Sequence, residues 1–315
     1  MTRYFDRALS TAFPGCGTAV AKTAAWTWLL LTLMLLAASS RAASQQAILW
    51  EIRGAADQPS FVFGTVHSED PRVLKLPEPV RERFDHADAV VLELTLGPDT
   101  MTALAKAMYL GDGRTLEQLA GPELYNETVN LLGEYGLPEL ALRHMKPWAA
   151  AVTLSTPKPK TGVVLDQQLH NQARQQGKIV FGLETAAEQV GYFDRLTMDE
   201  QVRLLRDSVD MFDDLPELFD QLIDAYLARD LDALVRLSEQ QMARDDSGTA
   251  ERLMTGLVDD RNKIMTERMV PLFADGNVFV AIGALHLPGE TGLVSLLRGQ
   301  GYELEPLALP LSVPE

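Results

Sequence analysis

The 315-residue chain is 46% hydrophobic with 22 Gly and 17 Pro, enough to bury a substantial core in one large domain or two. Its formal net charge of −16 repels phosphate backbones, and no Lys/Arg-rich run offers a local exception, so nucleic acid is not expected as a partner. A lone cysteine, Cys16, rules out a disulfide framework.

In chain order, Arg3, Arg7 and Lys22 precede an apolar run from Trp26 to Ala38, and Ser40-Arg41-Ala42 follows as a small-x-small site. A basic region, an apolar stretch of this length and such a site predict a signal peptide over residues 1–42, cleaved after Ala42. If retained, the same run is a membrane anchor near the lower length limit for spanning, and it is the only membrane contact expected. Cys16 lies ahead of the apolar run, so it is not placed for lipidation at the cleavage site. Beyond Ala42 there is no cysteine, hence no thiolate nucleophile and no Cys-ligated zinc. Histidines and carboxylates must do any metal binding. Residues 43–315 are expected as one exported domain, periplasmic or secreted.

Ala47 to Arg53 reads as a strand, Gly54 to Pro59 as a turn, and Phe61-Val62-Phe63 as a returning strand, so a hairpin leads into Gly64-Thr65-Val66-His67. Leu76-Pro77-Glu78-Pro79 opens a helix through about Phe84, with prolines tolerated in its first turn. Ala87 to Leu94 is a buried strand carrying Glu93 near its end. Helices are expected around 99–110, 121–134 and 138–155. Ser155-x-x-Lys158 has the spacing of a serine/lysine nucleophile pair, but that motif needs a helix after the serine, and Pro157, Pro159 and Gly162 oppose one. A helix over Val163 to Gln176 and a strand over Lys178 to Glu184 follow. Residues 187–247 read as a charged helical layer or cap. A long helix over Thr249 to Phe273 ends at Gly276, and its apolar stripe carries Arg261 or Asn262 inward, where a polar group needs a partner. Val278 to Ile282 forms a strand leading into Gly283-Ala284-Leu285-His286, followed by a helix near Gly292 to Arg298 and a final strand over Tyr302 to Leu307. Strands alternating with helices after an opening hairpin predict an α/β fold, a mixed central sheet flanked by helices with a helical cap.

Chemistry concentrates at strand ends. Two Gly-x-x-His units each follow a short β-favouring apolar run, which places His67 and His286 at the carboxyl ends of their strands, where ligands bind in open α/β sheets. Glu93 and Glu184 fall at similar positions. Two imidazoles and two carboxylates suit a divalent cation such as zinc, manganese or cobalt with one position open for water. The competing readings are ordinary: strand-end histidines bonded to backbone, Glu93 facing solvent or paired with Arg, and Glu184 capping the helix that begins near Ala186. Asp166 and His170, four apart on one helix, have the spacing to share a ligand, but the expected reading is a surface pair. His86 and His144 read as ordinary surface histidines.

These motifs, in this order, resemble the TraB/GumN family, related to the Tiki proteins. The resemblance rests on Gly64-Thr65-x-His67 after a hairpin, the Leu92-Glu93 strand end and Gly182-Leu183-Glu184-Thr185 with Glu188-Gln189. It extends through Arg261-Asn262 late in a helix and Gly283-x-x-His286-Leu287-x-Gly289, and Asp166 fits a looser Gly-x-x-x-Asp approach. It covers about Ile48 to Glu303. It implies a fold shared with Tiki, erythromycin-esterase-like and haem-binding ChaN-like proteins, with the site at the two Gly-x-x-His units and the glutamates.

The expected function is an exported metal-dependent hydrolase, peptidase-like, acting on a peptide or small molecule. His67 and His286 are metal ligands, Glu93 or Glu184 is the third ligand, and the other glutamate is general base on the bound water. Arg261 or Asn262 steadies the oxyanion. Two alternatives stay open: a metal-independent His/Glu esterase or amidase, and a non-catalytic haem- or metal-binding protein.

Overall fold

In the computed structural model, residues 47–54, 56–95, 97–242, 248–274 and 276–310 are described. All belong to one compact unit, Gln45–Glu315. The expected signal peptide and its cleavage site lie outside the described residues. Among those residues, no helix is long and apolar enough to cross a membrane.

Six strands form one mixed sheet: β1 (Leu49–Arg53), β2 (Ser60–Thr65), β3 (Ala89–Leu92), β4 (Ile179–Gly182), β5 (Val278–Gly283) and β6 (Glu303–Pro306), in the order β4-β3-β5-β2-β1-β6. β1 and β2 make the predicted hairpin, with Leu49 opposite Phe63 and Ile52 opposite Ser60. β6 closes the sheet antiparallel to β1. The other pairings are parallel: β2 with β5, β5 with β3, and β3 with β4. The carboxyl ends of β2, β3, β4 and β5 therefore share one edge.

The composition of these strands explains their place. Ala89-Val90-Val91-Leu92 and Val278 to Ile282 are unbroken apolar runs, as strands covered on both faces require, and every one of these residues is buried. Phe63 and Phe84 pack against Phe279, the Phe84 ring edge-on at a centroid distance of 5.5 Å. β4 differs, because it is an outer strand, and Ile179 and Phe181 stay exposed.

Helices cover the sheet and also build a second apolar cluster. Leu116, Leu124, Leu132, Leu142, Trp148, Leu154 and Leu205 pack together away from the sheet core. The expected helix over 138–155 is two helices, Glu139–Leu142 and Pro147–Leu154, because Pro147 cannot donate to a preceding turn and instead starts the second one. Residues 187–247 divide between the two cores. Leu205 from Met198–Asp210 joins the second cluster, whereas Ile223 and Tyr226 from Leu215–Leu227, with Leu231 and Leu234, join the sheet core.

The long helix expected over Thr249 to Phe273 is four segments: α-helix Thr249–Met254, a π-helical turn Thr255–Asp260, α-helix Arg261–Met269 and a 3-10 turn Val270–Phe273. The π-turn adds a residue to the spiral just before Arg261, a device that recurs at functional sites. Both Arg261 and Asn262 are buried, as the stripe predicted, with Asn262 fully enclosed. Ser155 donates to Ala151 O and Lys158 pairs with Glu134, so the two do not act together.

Candidate functional site

The two Gly-x-x-His units lie against each other, and their glycines explain how. β2 pairs β5 with Gly64 opposite Ile282 and Thr65 opposite Gly283. A Cβ on Gly64 would stand 2.8 Å from Leu287 Cδ1 and 3.1 Å from Ala284 Cα, so only glycine lets the turn carrying His286 pack on the strand leading to His67. A Cβ on Gly283 would stand 3.2 Å from Glu93 Oε1. That space is used: the Gly283 N–H donates to Glu93 Oε1 at 2.8 Å.

Glu93 follows β3 and faces this junction. Its Oε2 accepts from Arg261 Nη2, and its Oε1 lies 3.9 Å from His286 Nε2, beyond hydrogen-bonding reach. Burial pushes the carboxyl up, but the charges of His286, Arg261 and His67 and the Gly283 N–H outweigh it and hold Glu93 at about 2. Glu93 is thus an anion throughout the neutral range.

Glu184 follows β4, next to β3, and its backbone N–H donates to Glu93 O at 2.8 Å. Arg261 clamps its carboxylate: Nε reaches Oε1 at 2.9 Å and Oε2 at 3.0 Å, and Nη2 reaches Oε2 at 2.6 Å. Gln189 Nε2 adds a fourth bond at 3.2 Å. The remaining Arg261 nitrogen, Nη1, donates to Leu257 O at 3.1 Å, within the π-turn. One guanidinium therefore serves two buried carboxylates. Burial opposes its charge, yet the bonds and charges of Glu184 and Glu93 hold Arg261 above its ordinary range.

Asn262 orients His286. Its Nδ2 donates to Thr291 O at 2.9 Å, which turns Oδ1 toward His286 Nδ1 at 2.7 Å. Oδ1 can only accept, so Nδ1 carries the ring proton and Nε2 keeps its lone pair toward Glu93. Burial lowers the His286 pKa against the pull of Glu93, which leaves the ring neutral near pH 7.

His67 stands apart from this network, with its side chain 67% exposed. Its nearest acidic neighbour is Asp166, at 3.8 Å from Nδ1 to Oδ2. Asp166 sits in the first turn of the helix Leu165–Gln175 and accepts on Oδ1 from Thr65 Oγ1 at 2.8 Å. The expectation of an Asp166–His170 surface pair fails, because Asp166 turns inward to the strand end and its Oδ2 is buried with no hydrogen-bond partner. Burial and the Glu93 charge raise its pKa, against His67 and the Thr65 bond. Thr65 and Asp166 fell within the motifs, yet neither was expected among the site residues. The Thr of Gly-Thr-x-His was visible, but its partner lies 101 residues away.

All six expected residues thus gather at one sheet edge. Glu93, Glu184, Arg261, Asn262 and His286 form a connected group, and His67 reaches it through its charge on Glu93 and its approach to Asp166. The donor set, imidazole nitrogens with carboxylates and an orphaned buried Asp166 Oδ2, suits a divalent ion chemically. Among the described residues, however, no three His, Asp or Glu side chains already stand close enough together to hold one.

The family described as TraB/PrgY/gumN matches residues 48–306. The chain is similar to the protein named metalloprotease TIKI1 of Danio rerio, 26% identical over 84% of this chain and 64% of that protein. It is also similar to metalloprotease TIKI2 of Xenopus tropicalis, 24% identical over 82% of this chain and 59% of that one. The uncharacterized protein YbaP of Shigella flexneri is 25% identical over 76% of this chain and 88% of its own length. The chain therefore spans about three fifths of the Tiki proteins it matches. No solved structure matches it.

Proposed function

The chain belongs to the TraB/PrgY/gumN family, and on that premise we propose that it is a metal-dependent hydrolase that cleaves peptide bonds. Relatives named metalloprotease support the class of reaction. The observation that carries the reading is the meeting of both Gly-x-x-His units with Glu93 at one end of a parallel sheet, with His286 Nε2 left unprotonated.

His67, His286 and Glu93 are the residues that would hold the ion, zinc, manganese or cobalt. When bound, it would polarise the scissile carbonyl and ease deprotonation of water. The protein's own part is clearer. Asn262 fixes the His286 tautomer, and so works on the imidazole where the sequence suggested an oxyanion donor. Arg261 has its nitrogens committed to Glu184, Glu93 and Leu257 O, so it holds carboxylates in place. Glu184, clamped on both oxygens, is the counter-charge that aims Arg261, and Glu93 is the carboxylate facing the reaction centre. Export of the chain after removal of residues 1–42 is part of the same proposal, and N-terminal sequencing of the purified protein checks it.

The test is hydrolysis of a peptide library by the purified protein, with a chelator and after re-addition of each metal. Loss with chelator and recovery with one ion support the reading. No cleavage of any peptide overturns it. A second reading is favoured by the neutral, Asn262-oriented His286: the ring itself serves as general base without metal. Chelator-resistant activity together with metal-free elemental analysis selects that alternative.

A further inference from the structure

The two histidines are held unequally. His286 has its Nδ1 bonded to Asn262 Oδ1 at 2.7 Å and is buried, whereas His67 faces Asp166 Oδ2 at 3.8 Å and is largely exposed. Asp166 is arranged for a partner it does not yet have. Thr65, 1% exposed at the end of β2, pins Oδ1 at 2.8 Å. The other oxygen, Oδ2, is sealed from solvent and accepts nothing. Leaving a buried acceptor unpaired is costly, more so for a charged one, so such a group is retained where it has a use. His67 Nδ1 is the nearest imidazole donor to that oxygen. Thr65 and His67 are also two residues apart on one strand end, so the threonine that aims Asp166 moves with the histidine it faces.

We propose that Asp166 is the positioning residue of His67, accepting its Nδ1–H on Oδ2 and turning Nε2 to the reaction centre, as Asn262 does for His286. The pairing gives the Thr of Gly-Thr-x-His a role: it orients the acceptor for the histidine two residues on. A free imidazole prefers its proton on Nε2, which would leave the wrong nitrogen available. The Asp166 contact reverses that preference, and a metal-facing histidine gains orientation and basicity from such a partner. The inference rests on the proposed site, but its first readout needs no metal and no substrate.

The experiment records histidine side-chain nitrogen NMR on the ion-free full chain, with the His67 signals assigned through His67→Ala. The wild type is expected to hold neutral His67 as the Nδ1–H tautomer. Asp166→Ala is expected to return it to the Nε2–H form, and Asp166→Asn, which keeps an acceptor oxygen and the shape, to preserve the Nδ1–H form. Calorimetric titration with zinc is the second readout, with affinity falling about 10–100-fold in Asp166→Ala and recovering in Asp166→Asn. Circular dichroism establishes folding, and if the alanine variant does not fold, Thr65→Val, which frees Asp166 to rotate, takes its place with a mixed tautomer expected. A wild-type His67 in the Nε2–H form, or a tautomer indifferent to Asp166→Ala and Thr65→Val, overturns the proposal. A wild type that shows the tautomer change but binds no zinc overturns only the metal reading.

Discussion

Replacing Arg261 by Met tests the arrangement at its centre. The substitution keeps an unbranched side chain but removes the guanidinium bonded to both Glu93 and Glu184. The Glu184 side chain is 2% exposed and that of Glu93 13%, so neither carboxylate can recover its lost partner from water. Breaking a buried ion pair by removing one partner costs about 3–5 kcal/mol, and one cation serving two anions places Arg261→Met toward about 5 kcal/mol. The assay is urea unfolding followed by circular dichroism at pH 7 with chelator present. A second variant, Arg261→Met with Glu184→Leu, is expected to recover at least about 2 kcal/mol, because it removes the stranded charge. The pH dependence gives an independent check. Glu93 titrates at about 2 in the folded protein against an ordinary 4.5, so the unfolded chain binds more protons between those values. Its contribution, about 3 kcal/mol at 1.4 kcal/mol per unit, is fully present above 4.5 and is lost as pH falls through about 2. In Arg261→Met the stranded carboxylates gain from protonation, so stability is expected to rise as pH drops from 7 to 5. A single variant within about 1 kcal/mol of wild type at pH 7 would refute the clamp.

Gly64→Ala drives a methyl group into Leu287 and Ala284, and is expected to cost about 1–3 kcal/mol in urea unfolding while lowering kcat more than the loss of folded protein explains. Tyr226→Phe removes the buried hydroxyl that donates to Gly64 O at 2.8 Å, and thermal unfolding is expected to report a loss of about 1–2 kcal/mol. Glu188 caps its own helix through Thr185 and pairs with Arg268, and the Arg268 bond above all holds it at about 2. Because it is partly exposed and screened, Glu188→Gln is expected to cost about 1 kcal/mol or less at pH 7, with the difference from wild type closing as pH falls from 4.5 toward 2.

The strand ends were readable because apolar runs with a glycine at their close have little freedom of interpretation. Phe61 to Gly64 and Val278 to Gly283 could only be buried strands, and their histidines had to emerge at the same edge once β2 and β5 paired in parallel. Arg261 and Asn262 were readable as inward groups from the stripe around them. Their partners were not, because a helical stripe tells which face is buried and says nothing of what lies opposite. So Glu184 looked like a ligand or a helix cap, and only the tertiary contact that brings Arg261 to the residues following β3 and β4 shows it committed to Arg261. Asp166 was misread for a related reason. Its i,i+4 relation to His170 is a local pattern, whereas the Thr65 bond that turns it inward is a tertiary one. The π-turn before Arg261 has no periodic signal at all, since one added residue leaves the composition unchanged.

The placement of β5 also governs when the candidate site can form. β5 lies between β3 and β2, and its bond from Val278 N to Ser60 Oγ joins positions 218 residues apart. Until that late segment inserts, β3 and β2 have no shared neighbour, and Glu93 lacks both the Gly283 amide and His286. A chain still being synthesised, or one cut short before Val278, carries five of the six site residues but lacks His286 and the Gly283 amide that holds Glu93. Such non-local pairing slows folding, so the site is completed only when the last parallel strand is in place.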